Sequence, residues 1–256
     1  MSQRKGAPRA GGHSGGTGSR TVDLAVLTPV LLVRAAHPRQ AGLTAVALAL
    51  ATAISGRDAA GTGLVLLTVL VGQAVLGWHN DLVDTERDRG EEQTTKPIAN
   101  GRLDRGTVWF ALICAVLLVV PLALSNDLTG GAAYLISLAV GIVGNLVLRR
   151  GSLSWLPWAV SFALYPAFLS YADWGGRSSS PPTIPMTVLA ALLGVGVHVL
   201  CALPGLVADN RDGQRQLPLR LALKVGAPRL LAYSSAYCAV VVVLMAVTGA
   251  TVGLSQ

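Results

Sequence analysis

Apolar positions along this chain fall into seven runs of roughly 15 to 22 residues, each long enough to predict a membrane-spanning helix. They cover Ala41–Ser55, Thr62–Trp78, Thr107–Leu124, Gly130–Leu148, Trp155–Ala172, Ile184–Leu203 and Pro228–Thr248. A further stretch, Val22–Arg34, is apolar but is closed by Arg34, His37, Pro38 and Arg39. It reads as a helix lying along the membrane surface. The segment before it is rich in Gly, Ser and Arg, so residues 1–21 read as a disordered basic cytoplasmic tail and 22–256 as one membrane domain. The expected fold is an all-α, polytopic membrane helical bundle.

Composition agrees, since 52% of the 256 residues are hydrophobic, only 13% are charged and the mean hydropathy is +0.56. The net charge of +7 would ordinarily raise nucleic acid as a partner. Its distribution excludes that reading. With the N-terminus in the cytoplasm, eighteen of the twenty Lys and Arg fall on the cytoplasmic side and only Arg57 and Arg177 outside. This is the pattern of a multi-pass protein of the cell membrane. Cys114, Cys201 and Cys238 show no paired spacing, so buried thiols are expected rather than a disulfide or zinc framework.

Two polar segments concentrate the remaining charge, Asn80–Arg105 and Asp209–Arg229, and four spans between them place both on one side of the bundle. The first contains Asn80-Asp81-Leu82-Val83-Asp84-Thr85-Glu86-Arg87-Asp88. On a helix Asp81, Asp84 and Asp88 share a face, and three anions so close call for a cation between them. A hard divalent ion such as Mg²⁺ suits oxygen ligands and leaves positions for substrate phosphates. Lys96, Arg149, Arg150 and Arg215 could bind the remaining oxygens of a diphosphate.

Asn80-Asp81-x-x-Asp84-x-x-x-Asp88 with Lys96-Pro97 and Gly101, and Asp209-x-x-x-Gly213 with Leu217-Pro218, resemble the two signatures of the UbiA-type intramembrane prenyltransferases. Arg34, His37 and Pro38 are similar to the segment that opens that family's bundle. The resemblance implies Mg²⁺-dependent ionisation of an isoprenyl diphosphate and transfer of the prenyl group to a lipophilic acceptor, aromatic or a quinone precursor. Carried over, Asn80, Asp81, Asp84, Asp88 and Asp209 would hold metal, with Asp84, Asp88 and Asp209 catalytic. Arg34, Lys96 and Arg149 would contact the diphosphate. A terpene cyclase would share the same ionisation residues, and a degenerate homologue could bind the diphosphate without turning it over.

Two departures from the family pattern stand out. Gly205 occupies the position, four residues before Asp209, where the family carries another acid, and Asp212 is a poorly placed substitute. Seven spans against the family's nine leave three readings open: a natural short variant, a truncated sequence, or a partner subunit that closes the C-terminal side of the bundle. Among individual residues, His79 could support the acidic cluster and His198 is expected to bond a neighbouring helix. Trp155, Trp158 and Tyr165 read as interface anchors. Gly141, Gly144, Gly194 and Gly196 read as close-packing positions.

Overall fold

A computed structural model describes residues 27–90, 96–171 and 180–253, and every described element of regular structure beyond an isolated bridge is helical. The expected tail 1–21, residues 22–26 of the expected surface helix, and Arg177, expected outside the membrane, lie outside the described residues. Residues 27–35 form α1. The bundle then runs through α2 (Pro38–Ile54), α3 (Ala59–Arg89), α4 (Arg105–Leu124), α5 (Leu128–Val143), α6 (Leu156–Tyr171) and α7 (Ile184–Ala202). Two short helices, α8 (Leu206–Arg211) and α9 (Leu217–Val225), precede the final α10 (Ala227–Thr251). Consecutive long helices pack on one another from α2 to α7, α10 packs on α7, and α2 also touches α6.

All seven expected spans are helices, and five are long and apolar enough by themselves to cross a membrane. The other two, α2 and α6, have 17 and 16 residues. Large apolar side chains such as Phe110, Leu117, Val207 and Val243 point outward, as a lipid environment requires. This is a multi-pass membrane protein.

The main difference from the expected pattern is α3. Its apolar run stops at Trp78, but the helix continues through the polar segment to Arg89. Thirty-one residues at about 1.5 Å each reach about 46 Å, well beyond a hydrocarbon core of about 30 Å. The acidic cluster therefore rides on a rigid extension of a span instead of a loop. Asp58 caps its start, accepting from the Gly61 amide at 2.8 Å, and Asp104 and Asp127 cap α4 and α5 in the same way.

The interior is divided between two clusters. One, around Tyr134, Phe168, Tyr165, Val65 and Val69, joins α3, α5 and α6. The other surrounds Leu31, Val75, Leu82, Ile98, Leu103 and Val108 beneath the charged end. Tyr165 is thus no interface anchor: it is buried in the core, where the Gln73 amide reaches its hydroxyl at 3.4 Å and removes the need for water. Cys114 also differs from expectation, facing outward, although all three thiols are free. The four glycines behave as close-packing positions. A side chain at Gly144 would meet Pro157, one at Gly141 would meet Leu76, and one at Gly194 or Gly196 would strike Trp158 or Cys238.

Candidate functional site

The extension of α3 presents Asp81, Asp84 and Asp88, each at most 6% exposed, toward the neighbouring helices and loops. Carboxylates this buried require partners, and each finds a basic side chain from a different segment. His37 Nε2 lies 3.0 Å from Asp81 Oδ1. His37 adopts a left-handed backbone (φ 53°) between α1 and α2, a conformation uncommon outside glycine and one often found where a site demands it. Lys96 Nζ stands between two carboxylates, 2.8 Å from Asp88 Oδ2 and 3.3 Å from Asp81 Oδ1. Burial alone would lower the Lys96 ammonium, but Asp81 and Asp88 outweigh it and hold the group above its ordinary value. Its loop is pinned by Ile98, 1% exposed, and Leu103 against the lower core, with Gly101 making the turn at φ 74°.

Arg149 donates to Asp84. It follows a single π-helical turn, Gly144–Leu148, that ends α5 and redirects the chain. Burial and then Arg150 lower the Arg149 guanidinium, and Asp209 acts in the opposite direction, so the second acidic segment lies within its electrostatic reach.

That second segment does not stop at the end of α7. A 3-10 turn, Leu203–Gly205, leads directly into α8, which carries Asp209. Arg87 reaches across from α3: its Nη2 donates to Asp209 Oδ1 and its Nε to Asp212 Oδ2, both at 2.5 Å. Gln216 donates to Asp209 Oδ2, and Gly213 makes the intervening turn at φ 66°. The two polar segments therefore meet on one side of the bundle, as the even number of spans requires.

The structure thus gathers Asp81, Asp84, Asp88, Lys96, Arg149 and Asp209 into one network. Asn80 lies one turn before Asp84 and makes no side-chain hydrogen bond among the described residues. Arg34 is exposed on α1 and forms no ion pair among the described residues. His37, Arg87 and Gln216 are members that sequence reading assigned no such contacts. For His37 the signal lay in its place beside Arg34 and Pro38, whereas nothing local distinguished Arg87 from its neighbours. His79 makes no contact at Nδ1, which is buried and unpaired among the described residues. His198 bonds Ser154 at 3.0 Å and packs on Trp158, a structural role. Glu86, 74% exposed and paired with Arg89 and Arg105, lies on the solvated face of α3.

The donor set suits a hard divalent ion. Each α3 carboxylate leaves one oxygen, Asp81 Oδ2, Asp84 Oδ2 and Asp88 Oδ1, without a hydrogen-bond partner among the described residues. No three acidic, imidazole or thiol groups among the described residues converge on one point; Lys96 joins Asp81 and Asp88, while Asp84 pairs with Arg149.

A comparison with curated proteins finds no match. Among solved structures, a UbiA homolog from Archaeoglobus fulgidus bound to GPP and Mg²⁺ superposes with a TM-score of 0.64 at 18% identity, covering 84% of this chain and 76% of that one. The same homolog bound to DMAPP and Mg²⁺ gives 0.62 at 19% identity, over 83% and 75%. A form bound to Cd²⁺ gives 0.63 at 18%, over 86% and 78%. At these identities the likeness establishes the shared helical architecture. The model of the UbiA prenyltransferase family matches residues 41–255, nearly the whole membrane domain. The chain belongs to the UbiA prenyltransferase family.

Proposed function

We propose that this protein ionises an isoprenyl diphosphate at the charged end of the bundle and transfers the prenyl group to a lipophilic acceptor held between the spans. The observation that carries the reading is the meeting of two acidic segments, 122 residues apart at Arg87 and Asp209, with cations interleaved at the mouth of an apolar bundle. The A. fulgidus homolog, of the same fold, binds GPP or DMAPP together with Mg²⁺, and the same ligand class is proposed here.

Asn80, Asp81, Asp84 and Asp88 would hold Mg²⁺, with Asp209 facing them from α8. Bound there, the ion would offset charge developing on the departing diphosphate. Lys96, Arg149 and Arg34 would donate to its oxygens, strengthening as charge accumulates on them. In the reaction the C1–O bond breaks with its electron pair leaving on the diphosphate, and an allylic cation remains. The acceptor attacks C1 and releases a proton. The apolar spans keep water from intercepting the cation. The positive-inside pattern supports a cytoplasmic N-terminus, with this site at the cytoplasmic face of the cell membrane.

The test is diphosphate release from geranyl, farnesyl and geranylgeranyl diphosphates by the purified protein in lipid, beside Asp84→Ala. Release that needs both Mg²⁺ and Asp84, with a prenylated acceptor as product, is expected. A cyclic hydrocarbon or alcohol would replace transfer by cyclisation, and no release from any donor by the folded protein would refute the proposal.

A further inference from the structure

We infer that Arg87 is the fixed counter-ion of the second acidic segment, so that this site holds one divalent ion, on the α3 carboxylates, and none on Asp209 and Asp212. This rests on the function proposed above and specifies its metal count.

The two acidic segments differ in what their oxygens do. Asp81, Asp84 and Asp88 each keep one oxygen without a hydrogen-bond partner among the described residues, open to a further cation. Asp209 keeps none: Arg87 takes Oδ1 and Gln216 takes Oδ2. Arg87 also binds Asp212 through Nε, so a single guanidinium spans both acids of the segment at 2.5 Å. A planar fork with fixed donors suits such bridging, and its charge is independent of pH. Both contacts are set by helices, because Arg87 sits on the last turns of α3 while Asp209 and Asp212 lie on and just after α8.

Gly205 fits the same scheme. A Cβ there would lie 3.5 Å from Asp209 Oδ2, so the position faces Asp209 yet contributes no oxygen of its own. Five carboxylates of the network face Arg87, Lys96 and Arg149, with the exposed Arg211 a fourth cation 3.9 Å from Asp212. One divalent ion already covers the remaining negative charge, and a second would add two uncompensated positive charges before any substrate arrives.

The experiment counts Mn²⁺ by electron paramagnetic resonance in the lipid-reconstituted full chain, with and without a non-hydrolysable geranyl thiodiphosphate. Wild type is expected to bind one ion per chain and Arg87→Gln two. Arg87→Lys, which keeps the charge, should stay at one. Thermal unfolding of each variant identifies any that fail to fold, and a misfolded Arg87→Gln would be replaced by Arg87→Met in the same count. Two ions in wild type would overturn the Arg87 assignment while leaving the transferase proposal standing. One ion in every variant would likewise overturn it. No ion in any of them, with analogue present, would overturn the metal-dependent function itself.

Discussion

Without metal, the acid cluster should make Arg149 far more important to stability than Asp84, although the two are partners. Asp84 is bound by Arg149 and flanked on the same helix by Asp81 and Asp88. Side chains three or four apart on a helix are separated by about 6 Å, so each like-charge neighbour costs about 3 kcal/mol at an effective dielectric near 20. The contact with Arg149, at about 3 Å for a charge-assisted hydrogen bond, contributes about 5–6 kcal/mol on the same scale. Asp84→Asn removes that attraction together with both repulsions and should leave stability within about 1 kcal/mol of wild type. Arg149→Met relieves the repulsion from Arg150 but strands a buried carboxylate, a loss of about 3–5 kcal/mol. At about 2–4 °C per kcal/mol for a chain of this size, Arg149→Met should melt roughly ten degrees lower in EDTA. Thermal unfolding in lipid nanodiscs measures both. Addition of Mg²⁺ should stabilise wild type and recover part of the Arg149→Met loss, with Asp84→Asn responding least. Equal destabilisation by the two substitutions in EDTA would refute the charge-excess argument.

Three further outcomes are expected. Gly205→Asp has room for its Cβ and adds a carboxylate beside Asp209, so it should lower the melting temperature in EDTA and strengthen divalent binding by calorimetry; unchanged metal affinity would count against it. Lys96, raised by Asp81 and Asp88, contributes stability that is fully present below its unfolded value of about 10.4 and disappears as pH rises through the higher folded value. The stability gap between wild type and Lys96→Met should therefore stay constant from neutral pH to about 10 and narrow above it, and a gap that closes by pH 8 would contradict the clamp. Ile98→Ala, at a position 1% exposed, should cost about 2–5 kcal/mol and increase proteolysis of the Lys96 loop, while unchanged proteolysis would show that other contacts anchor it.

How much of the site was legible in the sequence depends on how local each feature is. The spans follow from the length of apolar runs, and the shared face of Asp81, Asp84 and Asp88 follows from helical spacing. That Lys96 and Asp209 return to the same end follows from counting spans. The end of α3 was not legible, because a helix continues for as long as its backbone and side chains find partners, and those of Arg87 and Asp88 lie on other segments. Tyr165 was misread for a related reason, since whether a hydroxyl needs the interface depends on Gln73, 92 residues away.

The sequence by itself determined a membrane bundle with an acidic helix face and a second acidic segment on the same side, because hydropathy and periodicity are properties of neighbouring residues. Only the tertiary structure decided which charges neutralise which. His37 on Asp81, Lys96 between Asp81 and Asp88, Arg149 on Asp84, and Arg87 on Asp209 and Asp212 are all set by helix register and approach. Those in turn come from small residues at crossings and from Ile98 beneath the loop. A charge-assisted hydrogen bond forms only where donor and acceptor approach to about 3 Å, so the pairing is decided by packing that no local pattern records.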